Sequence, residues 1–237
     1  MIIKIPQEKL LDLFLFLCLL FAAFLLLFTA AQLSAVPVIG EGALPCLVID
    51  PGHGGIDGGA IAFNGIKESE INLAIGLKMQ SLAEFLGVRT AMTREDDSSR
   101  SDTASYSEHE DLVKRAETVN TIQNAVLISV HQNFYPTSQP SGAQVLYASD
   151  ERSRMLGELT QQNLVRHLQP ENRRLSEPAS KKLFLLSHVS CPAILVECGF
   201  LSNIGDLELL TQNTYQSSLA VILLGSFLQS QTLNSYT

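Results

Sequence analysis

Cysteine is scarce in this chain, with only 4 among 237 residues. Cys18 lies within an apolar amino-terminal tract, which leaves Cys46, Cys191 and Cys198 for the rest of the chain. Three cysteines are too few for a small domain held together by disulfides, so that class of protein is excluded. We expect buried thiols. A pair between Cys46 and Cys191 is the alternative if their two strands are neighbours.

Positive charge is also scarce. The chain has 16 Lys and Arg against 24 Asp and Glu, which gives a formal net charge of -8 at pH 7. A protein that binds nucleic acid needs a basic surface, so this composition argues against a nucleic-acid partner. The sequence shows no internal repeat and no low-complexity domain. The roughly 200 residues after the amino-terminal tract fit one domain with a full core.

Polar residues are nearly absent from residues 13–31, which are all apolar apart from one threonine. This length suits a bilayer span and is long for the apolar core of a cleaved signal peptide. Lysines precede the tract, and after Lys9 no Lys or Arg follows before Lys67, so everything beyond the tract is predicted to be extracytoplasmic. We predict that residues 1–35 are a transmembrane anchor, with a signal peptide as the alternative, and that residues 36–45 are a linker.

Strand-like and helix-like segments alternate through the rest of the chain. Apolar runs predict strands over residues 46–50, 88–93, 125–130, 143–147, 183–186 and 193–196, and helical periodicity predicts helices over residues 68–86, 112–122, 155–168, 206–210 and 215–228. A polar, acidic stretch over residues 95–107 predicts a mobile loop. This alternation predicts a single α/β domain over residues 46–232, with a largely parallel twisted sheet and helices on both faces.

Three polar side chains come at or just beyond the ends of predicted strands. His53 lies three residues after the first strand, among glycines that leave space around its ring. His131 directly follows the strand over residues 125–130, and Glu197 directly follows the strand over residues 193–196. Because ligands bind beyond the carboxyl ends of parallel strands, we expect these side chains to meet at one edge of the sheet.

A fourth residue completes a candidate metal site. His53, Glu68 and His131 supply two imidazoles and a carboxylate, which is the ligand set of a hydrolytic zinc site. Glu68 opens a helix after a glycine turn, so its carboxylate can fold back toward the first strand; Glu70 is a rival ligand. A separate carboxylate must move the proton of an attacking water, and Glu197 is the best candidate for that role.

Each of these residues, taken singly, also has a structural interpretation. A histidine after a strand can simply satisfy its hydrogen bonds, and Glu68 can be an ordinary carboxylate in the first turn of a helix. Glu197 could instead form an ion pair with Arg94 or Arg115. Asn133, close behind His131, is a candidate for substrate binding, and a structural capping role is the alternative.

Four motifs resemble those of the zinc-dependent N-acetylmuramoyl-L-alanine amidases of the bacterial cell wall. They are DPGHGG at residues 50–55, GIKE at residues 65–68, SVHQN at residues 129–133 and VECGFLSN at residues 196–203. They occur in the order and spacing of that family, and the resemblance covers about residues 45–230.

The resemblance implies an activity and a role for each candidate residue. It implies that His53, Glu68 and His131 are zinc ligands and that Glu197 is the catalytic glutamate, and it favours Glu68 over Glu70. The implied reaction is hydrolysis of the amide bond between N-acetylmuramic acid and L-alanine of the stem peptide. A zinc-activated water would attack, with the glutamate as general acid and base. The implied partner is peptidoglycan, and the implied cofactor is Zn²⁺.

The layout is similar to the spore-cortex subgroup, whose members help to make muramic δ-lactam during sporulation. An apolar segment precedes one catalytic domain, and residues 142–145 and 191–197 also look like that subgroup. This similarity implies an extracytoplasmic enzyme, either membrane-anchored through its amino-terminal segment or secreted. The space between mother cell and forespore is one such location, and a regulatory protein partner is also expected.

Two other functions remain open from the residues. One is a cysteine hydrolase that pairs Cys198 with His131, although Cys198 should point away from Glu197 in an extended strand. The other is a non-catalytic module of the same fold that binds cell wall or is regulated by a partner.

Overall fold

The computed structural model describes residues 44–101 and 105–234, together with Leu17 and Phe21. The chain separates into two units, Met1–Glu41 and Gly42–Thr237. The predicted anchor or signal peptide and most of the predicted linker therefore lie outside the described residues. Within the part that is described, no helix has both the length and the apolar character needed to cross a membrane.

Six strands form one sheet. Their bounds are β1 Cys46–Pro51, β2 Thr90–Met92, β3 Ala125–Asn133, β4 Gln144–Tyr147, β5 Glu177–Pro178 and β6 Ala193–Phe200. The strand order is β2-β1-β3-β6-β4-β5. All neighbours run parallel except β4 and β6, which are antiparallel. The predicted α/β fold with a largely parallel sheet is confirmed.

Over residues 68–234 of the described chain, six helices pack around the sheet. Their bounds are α1 Glu68–Phe85, α2 Glu108–Asn120, α3 Glu151–His167, α4 Phe184–His188, α5 Ile204–Leu210 and α6 Asn213–Asn234. Side chains alternate between the two faces of each strand, so β1 sends Leu47 and Ile49 toward one core cluster and Val48 toward the other. The first cluster packs beneath α1, α3 and α6, and the second packs beneath α2 and α4. Helices therefore cover both faces, as predicted.

Two secondary-structure predictions differ from the structure. Residues 183–186 were predicted as a strand, but Leu183 is the N-cap of the short helix α4 and the other three residues lie within it, with helical hydrogen bonds from Ser187 N to Leu183 O and from Val189 N to Leu185 O. A four-residue apolar run fits both periodicities, and burying Leu185 and Leu186 against the sheet favours the helix. The two-residue strand β5 was missed because both its residues are exposed and carry no apolar signal.

The three described cysteines are buried or half-buried single thiols. Cys46, Cys191 and Cys198 are all free, so the alternative of a pair between Cys46 and Cys191 is wrong. Cys46 and Cys198 are buried, on opposite faces of the sheet.

The central strands β1, β3 and β6 end at the same edge of the sheet. In their register Asp50 lies beside Ser129, and His131 lies beside Glu197. The buried apolar side chains of these strands, worth about 1.5–3 kcal/mol each, fix that register. The sheet thus positions the backbone of two predicted site residues directly next to each other.

Candidate functional site

The loop that carries His53 begins where β1 ends. His53 adopts a left-handed backbone conformation, with φ of 61°, which is uncommon for a residue other than glycine. Gly52 precedes it, and a Cβ atom at that position would lie 2.2 Å from ring atoms of His131. Only glycine fits there, so the backbone of this loop lies directly against the second histidine.

The three predicted metal ligands come together. Glu68 Oε1 lies 3.3 Å from His53 Nε2 and 3.0 Å from His131 Nδ1. One ligand atom from each residue lies within 4.8 Å of the other two. Glu68 is buried, and the two imidazoles are partly open to solvent. Glu70, the rival ligand, is exposed and is not part of the cluster, so that alternative is wrong.

Asp57 orients the first histidine, and sequence reasoning missed it. Its Oδ2 accepts a hydrogen bond from His53 Nδ1 at 2.6 Å, while its Oδ1 accepts one from Gly59 N at 3.0 Å. A carboxylate bonded to one ring nitrogen leaves the other nitrogen free for a metal and fixes the tautomer. The signal was present in the sequence as a carboxylate four residues beyond the histidine.

Glu68 is held by donors from three parts of the chain. Gln132 N donates to Oε1 at 3.0 Å, and Ala60 N donates to Oε2 at 3.1 Å. Asn72, one turn further along α1, donates from Nδ2 to Oε1 at 3.3 Å and also to the carbonyl oxygen of Gly52 at 3.1 Å. These bonds fix the carboxylate rotamer and couple it to the loop that carries the first histidine.

Negative charge is concentrated at this cluster. Burial lowers the pKa of His53, but hydrogen bonds to Asp57 and Glu68 outweigh burial and raise that pKa to about 10. Burial raises the pKa of Glu68, but His131 and His53 outweigh it and hold that pKa far below its usual range. The cluster therefore stabilises positive charge, and its nitrogen and oxygen donors fit a divalent metal ion.

Glu197 lies beside His131 in the sheet and has an unusual carboxyl group. Its Oε2 is buried and has no hydrogen-bond partner among the described residues. Burial, opposed by the charge of His131, raises the pKa of this carboxyl to about 7. A group with that pKa can both accept and release a proton near neutral pH.

The two arginines considered as partners for Glu197 bind elsewhere, so that alternative is wrong. Arg115 forms ion pairs with Asp50 at 2.8 Å and with Asp111 at 2.6 Å. Arg94 donates to backbone carbonyl oxygens, including Pro51 O at 2.8 Å. Both guanidinium groups are buried beneath the loop of residues 51–53 and hold its carbonyl groups in place.

A cavity of about 250 Å³ opens beside the cluster. His53, His131 and Glu197 line one side of it, and apolar side chains of α2 and α4, such as Leu112 and Phe184, line the other. The two histidines and Glu197 therefore face a space that a substrate and a water molecule can enter.

Two remaining candidates lie outside this arrangement. Asn133, at the end of β3, is half-buried and does not line the cavity, so its role in substrate binding stays a prediction. Cys198 packs in the core on the opposite face from Glu197, and burial raises the pKa of its thiol well above the usual range. The cysteine-hydrolase hypothesis requires a thiolate beside His131, and the structure does not provide one.

A family profile described as N-acetylmuramoyl-L-alanine amidase matches residues 47–225. This range contains every residue of the cluster and Glu197.

Individual proteins and structures are similar over most of the chain. The germination-specific N-acetylmuramoyl-L-alanine amidase of Bacillus subtilis (strain 168) is 31% identical over 184 residues, which cover 73% of this chain and 74% of that protein. The CwlD amidase from Clostridioides difficile, solved in complex with the GerS lipoprotein, gives a TM-score of 0.76 at 34% identity and covers 80% of this chain and 99% of that chain. The amidase AmiC2 of Nostoc punctiforme gives a TM-score of 0.68 at 28% identity, covering 80% of this chain and 98% of that chain.

Proposed function

The chain belongs to the N-acetylmuramoyl-L-alanine amidase family, and from this premise we propose that it is a zinc-dependent peptidoglycan hydrolase with its site at His53, Glu68 and His131. It cleaves the amide bond between the lactyl group of N-acetylmuramic acid and L-alanine of the stem peptide. The observation that carries the proposal is the convergence of the three ligand atoms near Glu197, whose Oε2 is buried and has no hydrogen-bond partner among the described residues.

The ligand atoms follow from the hydrogen bonds of each residue. His53 offers Nε2, because its Nδ1 is bonded to Asp57, and His131 offers Nδ1, which lies next to Glu68. Two nitrogen ligands and one carboxylate leave a fourth position for water, as in hydrolytic zinc sites. When bound, zinc lowers the pKa of that water and polarises the scissile carbonyl group.

Glu197 moves the proton in this proposal. Its carboxylate accepts the proton that the attacking water releases and then donates it to the departing amine nitrogen of L-alanine. A pKa of about 7, raised by burial, suits both steps, because the group is a competent base and a competent acid near neutral pH. The unpartnered Oε2 supports this role, since no other described side chain competes for it.

The proposed biological setting is the spore cortex. The relatives in Bacillus subtilis and Clostridioides difficile carry the names of a germination-specific amidase and of an amidase bound to a lipoprotein. By analogy we propose that this chain acts outside the cytoplasm, at the membrane or secreted, and with a protein partner. The zinc-loaded chain alone should therefore be active on intact cortex below its full rate, and full activity alone would contradict regulation by a partner. Cortex from cells without this chain is expected to contain no muramic δ-lactam.

Mass spectrometry of digested peptidoglycan tests the reaction. Wild-type protein is expected to release stem peptides with a free L-alanine amino terminus and to leave glycan strands without peptides. Glu197→Gln should slow this release by about 10²–10⁴-fold, because the proton transfer is lost. Glu70→Gln is the matched control, since that exposed carboxylate lies outside the cluster and should leave the rate unchanged. Cleavage at another bond, or full activity of Glu197→Gln, would refute the proposal.

A further inference from the structure

Four large hydrophobic side chains are exposed together beside the candidate site. Ile61, Phe63, Phe134 and Tyr135 are between 50% and 76% exposed. They line a groove of about 320 Å³, which we call the aromatic groove. Exposed apolar clusters on a soluble domain mark binding surfaces, because exposure of such a patch to water is unfavourable.

The aromatic groove is built on the same two segments as the metal ligands. Phe134 and Tyr135 directly follow β3, which carries His131, and Ile61 pairs with Lys67, the residue before Glu68. At about 3.3 Å per residue, Phe134 lies about 10 Å along the chain from His131. The segments that carry His131 and Glu68 therefore also carry the aromatic groove.

The walls of the aromatic groove are fixed by hydrogen bonds. Tyr135 N donates to Ser202 Oγ at 3.1 Å, and Asn203 Nδ2 donates to the carbonyl oxygen of Ser138 at 2.7 Å. Leu201 N donates to the carbonyl oxygen of Asn133 at 2.8 Å. These bonds tie the segment after β3 to the segment after β6. A preformed surface binds a ligand at a lower cost in entropy than a surface that must be ordered.

The charge of the aromatic groove distinguishes it from the catalytic cavity. The nine described residues that line the groove carry no charge, and three of them are serine or threonine. The catalytic cavity is lined by charged side chains as well, including Lys182 and Glu108. Peptidoglycan has two chemically different parts, a stem peptide with free carboxylates and a strand of N-acetylated sugars. The uncharged groove suits the uncharged sugars better than it suits the carboxylates of the peptide.

We propose that the aromatic groove binds the glycan strand, by contact of a sugar that adjoins the cleaved muramic residue with Phe134 and Tyr135. The aromatic rings lie against the C–H face of the pyranose, and the hydroxyl groups at the groove bond to the sugar hydroxyl and acetamido groups. This proposal rests on the proposed amidase function, because it assigns one part of that substrate to one side of the site.

Two substrates and one binding assay test the proposal with the full-length protein. The variant is the double substitution Phe134→Ala and Tyr135→Ala. The control is Phe85→Ala, which removes a ring that is 84% exposed at the end of α1, in a separate groove. The assays are co-sedimentation with insoluble glycan strands stripped of peptides, and amide cleavage on whole sacculi and on a soluble N-acetylmuramoyl peptide with no neighbouring sugar.

The expected result is selective. The double variant should lose about 10-fold in glycan binding and in kcat/KM on sacculi, while its rate on the soluble substrate and all properties of Phe85→Ala stay unchanged. Wild-type glycan binding by the double variant would overturn the proposal. An equal loss on both substrates would also overturn it, because the rings would then support the site itself. If wild type cleaves neither substrate, the amidase function fails, and co-sedimentation still decides whether the groove binds glycan.

Discussion

The buried ion pair between Arg115 and Asp50 gives a stability prediction that can be worked from the structure. Arg115 Nη1 lies 2.8 Å from Asp50 Oδ1, and both side chains are almost fully excluded from solvent. Arg115→Met keeps an unbranched side chain but leaves Asp50 buried without its counter-charge. It also removes the donors to the carbonyl oxygens of Pro51 and His53.

Removal of one partner from a buried pair costs about 3–5 kcal/mol, so Arg115→Met should lose about that much free energy of unfolding. The matched control is Arg154→Met. Arg154 pairs with Glu151 and Glu158 on the surface of α3, where solvent screens the ion pairs, so Arg154→Met should change the stability little. The difference between the two variants should therefore be close to the full cost of removing one partner from the buried pair.

Urea unfolding followed by circular dichroism, with a chelator present to remove any contribution of metal, measures this difference. The double variant Arg115→Met with Asp50→Asn should be more stable than Arg115→Met alone, because the uncompensated charge is gone. That comparison remains informative if Arg115→Met does not fold. The reasoning is refuted if Arg115→Met costs no more than Arg154→Met, or if the second substitution lowers stability further.

Three other substitutions and one pH dependence follow from the site. Asp57→Asn should weaken zinc binding by about 10–100-fold, because the Asp57 carboxylate orients His53; competition with a chromogenic chelator measures the affinity. Gly52→Ala should reduce zinc content and activity, because its Cβ would lie 2.2 Å from the nearest imidazole. Cys198→Ala should keep full activity and lose about 1–2 kcal/mol of stability. Burial raises the pKa of Asp50, but Arg115, Ser129 and Thr93 lower it to about 2. This carboxylate therefore stabilises the fold above pH 4, and about 2 kcal/mol is lost as pH falls from 4 through 2.

Glu171→Gln, which changes an exposed carboxylate that pairs only with Arg173, should keep normal zinc affinity, and equal affinity of Asp57→Asn would contradict the orienting role. Gly225→Ala, in α6 with open space around it, should behave as wild type, and a zinc-replete Gly52→Ala would contradict the steric argument. An inactive but folded Cys198→Ala would revive the cysteine hypothesis. Wild type and Asp50→Asn should differ in acid sensitivity, and parallel stability curves between pH 5 and 2 would contradict the linkage.

The sequence predicted the parts of the site that depend on strand ends. His131 and Glu197 directly follow apolar runs rich in Val and Ile, which favour buried strands of a parallel sheet. Their carboxyl ends meet at one edge, so the two side chains were expected to be neighbours. The role of Glu68 as a ligand was predicted from the glycine turn before α1 and from the family motif.

The parts that were missed depend on tertiary contacts. The bond from His53 to Asp57 requires a left-handed backbone at a histidine, which no local pattern specifies. Arg94 donates to backbone carbonyl groups, and Arg115 donates to two of them as well as to Asp50 and Asp111; backbone acceptors carry no sequence signal. The apolar run at residues 183–186 was too short for its periodicity to separate a helix from a strand.

We propose that His53, Glu68 and His131 hold a zinc ion beside Glu197. An anomalous difference map from crystals measured on both sides of the zinc absorption edge tests whether zinc binds there. We expect one peak within bonding distance of His53 Nε2, His131 Nδ1 and the Glu68 carboxylate, in wild type and in Glu197→Gln. A zinc-loaded crystal with no peak between these three atoms, or with its peak at another set of residues, would contradict it.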